Sequence, residues 1–426
     1  MSNSTIKQVK AYEILDSRGN PTVAAEVTLF SGIQSVAFVP SGASIGKYEA
    51  KEKRDGDNER YLGRGVLQAV EAINFEINSI LQDKDPSDMR GIDTLLIDSD
   101  GTLNKNKFGA NAILGVSMAC SRAAAKMLGI ELYEFIHLKA KESSRNNITQ
   151  KLPIPMMNIL NGGVHADNPI DFQEFMIQPS GFESFADSIR AGVEIFHTLK
   201  SILKEKNMNT AVGDEGGFAP NLDSPTVALD LLMESIEKAG YVPGNNVFLC
   251  LDPAATEFYK DSVYDMTGAN QKFTSKDMVQ YLKDLRARYP ISSIEDGLAE
   301  DDWQGWVDLT KEIGSDTQIV GDDLFVTNPV RIQQGIEKKA ANAVLVKVNQ
   351  IGTLSEAIDA IHTASSQKYE SIISHRSGET EDSFIADFSV GMGTGQIKTG
   401  APSRSDRVSK YNRLLIIEKQ TSLCFG

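Results

Sequence analysis

The sequence predicts an α/β protein in which a (β/α)8-type barrel follows a smaller N-terminal α+β domain. Two observations predict the barrel: short apolar segments alternate with amphipathic helical segments, and these apolar segments lack the polar alternation of a half-exposed strand. A third observation is that a charged residue ends one apolar segment after another. A domain boundary is expected where this rhythm begins, with residues 1–140 in the smaller domain and residues 141–426 in the barrel.

The smaller domain is predicted to mix strands and helices. Val23–Phe30 and Ser35–Val39 are typical of strands in a meander, and Gly65–Ile80 and Ala110–Lys126 are typical of helices. The second helical segment is rich in Ala, Leu and Met, which favour helix formation. The polar segment Lys139–Gln150 then breaks the pattern, and it carries the predicted boundary.

The barrel domain is predicted to contain one strand at each of its apolar segments. These segments are PIPMMNIL, DFQEFMIQP, VFLCLD, ISSIED, QIVGDD, AVLVKVN, SIISHR and QIKTG. Helices are expected at Ser275–Tyr289, Asp302–Ile313, Pro329–Lys339, Leu354–Ser366, Asp382–Val390 and Arg404–Glu418. The first two segments are joined by too few residues for a crossover helix, so they should pair antiparallel. An open doubly wound sheet is the competing architecture, but GMGTGQ fails the G-x-G-x-x-G pattern of dinucleotide-binding sheets.

Composition and charge limit the classes of partner. The net charge of −15 disfavours nucleic acid and anionic membranes as primary partners, because both repel an acidic chain. Cys120, Cys250 and Cys424 are isolated, which fits a reducing cytoplasm rather than a zinc site or a disulfide framework. The sequence has no signal-peptide pattern and no apolar run of about 18 residues, so we expect a cytoplasmic protein without a membrane span.

Charged residues at the strand ends form the candidate site. They are Asp252, Glu295, Asp322, Lys347, His375, Arg376 and Lys398. A barrel gathers its strand ends on one rim, where catalytic residues normally lie. Each residue alone is better explained by a solvated loop, whereas a rim salt bridge explains Arg376, and a packed imidazole His375, about as well as a site does. Their succession after apolar strands favours a shared site.

The residue types on this rim point to metal-assisted proton abstraction. Asp252, Glu295 and Asp322 are hard oxygen donors without a His or Cys beside them in the sequence, a set that suits Mg²⁺. Lys347 and Lys398 stand among these acids, and a lysine beside a divalent cation loses its proton more readily. A metal with a lysine base is the combination that removes a proton from a carbon next to a carboxylate.

Three glycine-containing loops are expected to cover the rim: Pro40–Ala50, Asn161–Asn168 and Gly213–Asn221. Glycines permit close backbone approach and hinge motion. Taken alone, the first loop is better explained as an ordinary flexible loop, and the third as a glycine-rich turn with solvated acids. A carboxylate in the third loop, Asp214 or Glu215, would serve as a general acid if it is partly desolvated.

Motifs along nearly the whole chain resemble those of the enolase family. They are, in the family's order, ILDSRGNPTV, PSGAS, GANAILGVS, NGGVHADN, QEFMI, VGDEGG, SIED, GDDLFVTN, KVNQIGTL, SHRSGETED and GQIKTGA. The resemblance runs from about Tyr12 to Glu418 and is nearest to bacterial members. It implies a small α+β domain followed by a barrel of ββαα(βα)6 order. The implied activity is a glycolytic one, the reversible dehydration of 2-phosphoglycerate to phosphoenolpyruvate with the help of two Mg²⁺ ions.

The resemblance also implies roles for individual residues. The metal ligands would be Asp252, Glu295 and Asp322 for the first Mg²⁺, and Ser44 for the second, which arrives with the substrate. The catalytic residues would be Lys347 as the base for the C2 proton, Glu215 as the acid for the 3-hydroxyl, Glu174 beside it, and His375. The substrate contacts would be His165, Gln173, Arg376 and Ser377 at the phosphate, and Lys398 on the carboxylate side.

The family's dimer is expected here too, as a homodimer or a higher even oligomer. Family members usually carry a Glu and an Arg that pair across the dimer where this chain has Ala24 and Ile416, so both charged partners are lost together. The resemblance therefore implies a more apolar contact at this point. Arg18 and Glu194, which form a second cross-dimer pair in the family, are present.

Two other functions compete with this one. Another member of the superfamily would act on a different carboxylate, but Arg376 and Ser377 in SHRSGETED favour a phosphorylated small-molecule substrate. A surface-binding protein would use the same body as an adhesin and present exposed lysines. A secondary presence at the cell surface would add to catalysis and would not replace it.

Overall fold

The computed structural model describes residues 3–43, 46–143, 148–166 and 168–426. The smaller domain holds a three-stranded sheet and a group of helices. Its strands are β1 (Ile6–Leu15), β2 (Pro21–Leu29) and β3 (Gln34–Phe38). Its helices are α1 (Leu67–Ala72), which continues through a π-helical turn (Ile73–Ile77) into α2 (Asn78–Leu81), and then α3 (Met89–Asp100), α4 (Ala110–Leu128) and α5 (Leu132–Ser143). The predicted mixture of strands and helices is confirmed.

The sheet of the smaller domain is antiparallel in the order β1-β2-β3, so β1 lies at an edge. Two asparagines from the adjoining helical segment cover this edge. The Asn78 side chain accepts a hydrogen bond from the Val9 N–H at 2.7 Å. The Asn74 side chain accepts one from the Ala11 N–H at 2.8 Å and donates to the Ala11 carbonyl at 3.3 Å. Unpaired edge groups invite pairing with other chains, and these side chains occupy them.

The second domain is a closed eight-stranded barrel with a small three-stranded sheet beside it. Its strands are β4 (Ile154–Asn161), β5 (Glu174–Gln178), β6 (Phe248–Asp252), β7 (Tyr259–Lys260), β8 (Val263–Met266), β9 (Gln271–Phe273), β10 (Ile291–Glu295), β11 (Gln318–Gly321), β12 (Ala343–Val346), β13 (Glu370–Ser374) and β14 (Gln396–Lys398). The barrel omits β7, β8 and β9, and β14 pairs with β4 to close it. Seven buried side chains form a separate core cluster: Met156, Met176, Cys250, Val320, Ala343, Leu345 and Ile372.

One barrel strand runs against the others. β5 pairs antiparallel with both β4 and β6, as predicted from the short connection between the first two strands. The closing pair of β14 with β4 is parallel, like the pairs from β6 round to β14. Because β5 is reversed, its first residue, Glu174, lies opposite Asp252, the last residue of β6. The predicted fold class, a barrel after a smaller α+β domain, is confirmed.

Helices follow most of the barrel strands, and all of them except the short α11 cover the outside of the barrel. They are α6 (Phe185–Glu205), α7 (Pro225–Lys238), α8 (Ser275–Arg288), α9 (Trp303–Ile313), α10 (Pro329–Lys338), α11 (Val348–Ile351), α12 (Leu354–Ser366), α13 (Phe384–Met392) and α14 (Ser405–Gln420). The predicted helices from Ser275 onward agree with these bounds to within two residues at each end. Within the described ranges no single helix has the length and apolar composition to cross a membrane, although α4 and α5, bent by 105°, pass that test together.

Polar contacts join the two domains at the start of α12. Lys105 pairs with Glu356 at 2.9 Å. Asp93, on α3, is 1% exposed, and its carboxylate accepts a hydrogen bond from the Ser355 N–H at 2.9 Å. The second carboxylate oxygen of Asp93 has no hydrogen-bond partner in the described part of the chain. The contact therefore buries a carboxylate that is only partly satisfied, which disfavours its ionised form.

Replacing Asp93 by asparagine should stabilise the protein above about pH 6. Burial raises the pKa of Asp93 from 3.8 to about 6, so the folded state holds this proton more tightly than the unfolded state. The protonated Asp93 therefore stabilises the folded state. This stabilisation is complete below pH 3.8 and is lost as the pH rises through about 6, which lowers the free energy of unfolding by about 3 kcal/mol. Asparagine cannot ionise and avoids that loss. Urea unfolding gives the free energy of unfolding of the wild type and of Asp93→Asn at each pH. A difference between the two proteins that does not change with pH would contradict the prediction.

Candidate active site

A small polar cavity lies at the rim formed by the carboxyl ends of the parallel barrel strands. The predicted site residues that line it are His165, Gln173, Glu174, Glu215, Asp252, Asp322, Lys347, His375, Arg376, Ser377 and Lys398. Glu295 lies behind this lining and contacts Lys398. Ser44, the predicted ligand of a second metal ion, lies outside the described residues. The structure thus brings together the predicted site residues that it describes.

Lys398, the last residue of β14, places its ammonium group among three buried carboxylates. Its Nζ is 2.8 Å from Glu295, 3.0 Å from Glu174 and 3.4 Å from Asp252. Burial opposes the charge of Lys398, but the carboxylates outweigh burial and raise the lysine pKa well above its usual value. Burial and the neighbouring Asp252 raise the pKa of Glu295 in turn. One lysine cannot balance three acids, so this cluster favours a further cation.

Lys347, which follows β12, forms an ion pair with Asp322. Burial acts against both charges. The pair outweighs burial, so it raises the pKa of Lys347 and lowers the pKa of Asp322. The other carboxylate oxygen of Asp322 accepts a hydrogen bond from the Gln350 side-chain amide at 3.0 Å. The amine predicted to act as a base is therefore held beside a predicted metal ligand.

Two acidic residues that the sequence analysis left out complete this wall of the cavity. Carboxylate oxygens of Asp296, Asp322 and Asp323 lie within 4.8 Å of one another, a spacing that could hold a metal ion. The Asp296 carboxylate accepts hydrogen bonds from the N–H groups of Asp322 and Asp323 at 2.9 and 2.8 Å. Burial raises the pKa of Asp296 well above its usual value and that of Asp323 to about 8. The doubled acids in SIED and GDDL were the available sequence signal.

His165, Glu174 and Glu215 form another buried group. The Nδ1 of His165 is 3.7 Å from a carboxylate oxygen of each glutamate. Burial raises the pKa of Glu174 well above its usual value, and the charge of Glu215 adds to the rise. Glu215 accepts a hydrogen bond from the Asn158 side chain at 2.9 Å, which favours its ionised form. The surroundings of Glu174 therefore favour its protonated form more than those of Glu215 do.

Arg376 and Ser377 contact the first of the predicted covering loops. The Arg376 guanidinium pairs with Glu49 of that loop through two hydrogen bonds, at 3.1 and 3.2 Å, and both side chains are 5% exposed. It also donates to the Asn349 side chain at 3.0 Å. The Ser377 hydroxyl accepts a hydrogen bond from the Ala43 N–H at 2.6 Å. The two residues predicted to bind phosphate thus hold the described part of the loop against the rim.

Arg407, on α14, is a fully buried organiser of the rim that the sequence analysis missed. It donates to the carbonyls of Arg376 and Ser377, both at 2.6 Å, and to the Asp214 carbonyl at 3.1 Å. It also contacts the Nδ1 of His375. Arg407 therefore joins the SHRS segment to the GDEGG loop. No local pattern marks it, because these partners are 31, 30 and 193 residues away in the sequence.

The fold and the site together define a class of protein: an α/β barrel with buried carboxylates and lysines at the carboxyl ends of its strands, the arrangement of metal-dependent barrel enzymes. Two family models match the chain. The model described as the N-terminal domain of enolase matches residues 6–136, and the one described as the C-terminal TIM barrel domain of enolase matches residues 149–423. The chain belongs to the enolase family.

Membership confirms the family that the motifs suggested and the fold class that the strand–helix alternation predicted. The family is Mg²⁺-dependent in general, and its members are lyases that act on a phosphorylated small molecule. The acidic groups of the cavity are of a kind that could bind such a metal. The roles of individual site residues, the number of ions and the domain boundary at residue 140 stay predictions.

Proposed function

We propose that the chain catalyses the enolase reaction of glycolysis, the reversible dehydration of 2-phosphoglycerate to phosphoenolpyruvate, as bacterial-type members of the family do. The observation that carries this proposal is the presence of Lys347 and an acid pair, Glu174 and Glu215, on the walls of one carboxylate-lined cavity. Loss of a proton from one carbon and a hydroxyl from the next requires a base and an acid in the same site. Membership of the family supports the same reaction.

Magnesium is the cofactor that the donor set fits. The cavity lining contains seven acidic residues against three lysine or arginine residues, and carboxylate oxygens are the ligands that Mg²⁺ prefers. We assign the first Mg²⁺ to Asp252, Glu295 and Asp322, and the second, which joins with the substrate, to Ser44. Bound Mg²⁺ stabilises the negative charge that develops on the substrate carboxylate.

Lys347 supplies the base in this proposal. Its amine would take the proton from C2 of the substrate, so it must first be neutral. Burial and two neighbouring cations, Arg376 and Lys398, favour the neutral amine. Asp322 and Glu295 favour the charged one. Any compensation of the Asp322 charge therefore shifts Lys347 toward its basic form.

Glu174 and Glu215 supply the acid. Burial and Glu215 raise the pKa of Glu174, which favours its protonated form, and in this proposal the pair gives a proton to the departing 3-hydroxyl. Burial lowers the pKa of His375 to about 3, so its imidazole is neutral at ordinary pH. The Nε2 of His375 is 3.5 Å from a carboxylate oxygen of Glu215, so the imidazole lies beside the acid pair.

The remaining polar residues bind and orient the substrate. Arg376 offers a planar fork that suits a phosphate, and Ser377 adds a hydroxyl beside it. Lys398 would lie on the carboxylate side, and His165 and Gln173 would contact the substrate from the cavity wall. A phosphate group is thus required for a productive pose.

Incubation of the purified protein with 2-phosphoglycerate and Mg²⁺ tests the proposal through the ultraviolet absorbance of the enol product. We expect turnover with Mg²⁺, loss of turnover after chelation, and recovery when Mg²⁺ is returned. The matched control is glycerate, which lacks the phosphate for Arg376 and should not react. Wild-type protein that forms no product from 2-phosphoglycerate in the presence of Mg²⁺ would refute the proposal.

Assembly and location belong to the same proposal: a homodimer or higher even oligomer in the cytoplasm, with a secondary presence at the cell surface. Ala24 is 2% exposed within its own sheet, whereas Ile416 on α14 is 50% exposed, so of these two Ile416 is the one free to contact a second subunit. Light scattering should give a mass of at least twice 46.5 kDa, and a monomer would count against the dimer. Cell fractionation tests the location.

A further inference from the structure

Gln350 occupies an unusual position between two carboxylates of the site. It lies on α11, three residues after Lys347, and is 1% exposed. Its side-chain amide donates to Asp322 at 3.0 Å and to Glu49 at 3.3 Å. Its side-chain oxygen accepts a hydrogen bond from the Thr327 hydroxyl at 2.8 Å. One side chain therefore touches the wall of the cavity and the loop that covers it.

The Glu49 end of this contact belongs to the covering loop. The Glu49 carboxylate accepts a hydrogen bond from the Gly46 N–H at 3.1 Å and pairs with Arg376. The backbone of the loop is tied to the same place, because the Ala50 N–H donates to the Gln350 carbonyl at 2.8 Å. A change in the position of the loop is therefore transmitted directly to Gln350.

On its other side, Gln350 is linked to Lys347 through Thr327. The Thr327 hydroxyl accepts a hydrogen bond from the main-chain N–H of Lys347 at 2.9 Å. Thr327 is fully buried and has a φ of +55°, a backbone conformation that is costly for a β-branched residue. Such a conformation persists only where the surroundings fix it, and the hydrogen bonds to Gln350 and Lys347 contribute to that.

We propose that Gln350 is a positioning residue that couples the covering loop to the metal ligand Asp322 and to Lys347. The inference rests on the roles given to these two residues in the proposed function. Chemistry explains the choice of glutamine, since one neutral amide has two N–H donors and can bridge two carboxylates. A glutamate would repel both acids, and a lysine would cancel the charge with which Asp322 binds a cation.

A matched control separates this role from that of an ordinary buried glutamine. Gln178, at the end of β5, is 9% exposed. Its side chain also bridges two partners, donating to Gln396 at 3.2 Å and accepting from Ser292 at 2.9 Å. Gln178 and Glu174 are the last and first residues of β5, so the contacts of Gln178 lie at the opposite end of the barrel from Glu174 and the cavity. Gln178→Met and Gln350→Met therefore remove similar hydrogen bonds from two places in one barrel.

Calorimetric titration with Mg²⁺ alone provides the first test. Gln350→Met should weaken Mg²⁺ binding by roughly tenfold, the size of effect found for residues that orient a ligand. Gln178→Met should leave Mg²⁺ binding unchanged within about twofold while it lowers the thermal stability. Equal Mg²⁺ affinity in the wild type and Gln350→Met would overturn the proposal. The titration uses no substrate, so it is independent of whether 2-phosphoglycerate reacts.

Trypsin cleavage after Lys47 provides the second test, because this lysine lies in the covering loop and is exposed. Mg²⁺ should slow the cleavage in the wild type and in Gln178→Met, because binding of Mg²⁺ at Asp322 stabilises the loop through the hydrogen bonds of Gln350. Gln350→Met should be cleaved at the same rate with and without Mg²⁺. Full Mg²⁺ protection of Gln350→Met would show that the coupling runs elsewhere and would overturn the proposal.

Discussion

Lys347→Ala should lower kcat for 2-phosphoglycerate by about 10²–10⁴-fold or more, because general-base catalysis is typically of this size. The variant should still bind Mg²⁺, since loss of the amine leaves Asp322 without the partner that it has in the structure. The diagnostic measurement is exchange of the C2 proton with deuterium from solvent, followed by NMR. Exchange should disappear together with turnover.

Two controls assign this loss to the base. Lys105 is another buried lysine, paired with Glu356 at the domain contact, and Lys105→Ala should leave kcat within about twofold. Glu174→Gln should block dehydration through the acid pair and yet retain C2 exchange. If Lys347→Ala still exchanges the C2 proton at the wild-type rate, another residue is the base.

Arg376→Met should cause two separable losses. The first is stability: Glu49 and Arg376 are both 5% exposed, and removing one member of a buried pair typically costs about 3–5 kcal/mol. The second is function: without the guanidinium the substrate phosphate loses a bidentate hydrogen-bond donor, and kcat/KM should fall by about 10²–10³-fold. Denaturant unfolding and the absorbance assay measure the two losses independently.

The double variant Glu49→Gln/Arg376→Met separates these effects. It removes the Glu49 carboxylate that Arg376→Met leaves buried without its partner, so most of the lost stability should return. Activity should stay at the level of Arg376→Met, since neither change restores a phosphate ligand. A double variant that recovers both stability and activity would show that Arg376 acts on the fold alone.

The sequence predicted the barrel well because the barrel depends on local patterns. Each strand is an apolar segment of a few residues, and four of the later helices, α8, α9, α10 and α12, begin at a residue whose side chain caps the helix. Thr274 and Asp277, for example, form a capping box that fixes the start of α8. The charged strand ends also followed from local order, since any side chain directly after a parallel strand is carried to the same rim.

Residues that act across long separations escaped prediction from local pattern. Arg407 lies in the first turn of α14, and nothing beside it in the sequence shows that its donors meet carbonyls of two distant loops. Glu49 and Gln350 are 301 residues apart, so their contact exists only once both domains are folded. Glu174 was suggested only by resemblance, because it is the first residue of the reversed strand β5 and does not follow a strand as the other charged residues do.

The strand that closes the barrel has a consequence for how the chain is made. β14 pairs with β4, so the first and last barrel strands meet only after Lys398 has left the ribosome. The same residue carries the ammonium group that lies among Glu174, Asp252 and Glu295. Until that moment Lys398 cannot pair with any of these acids. Closure of the ring and pairing of Lys398 with its three acidic neighbours are therefore one event, and a nascent chain that stops short of β14 has neither.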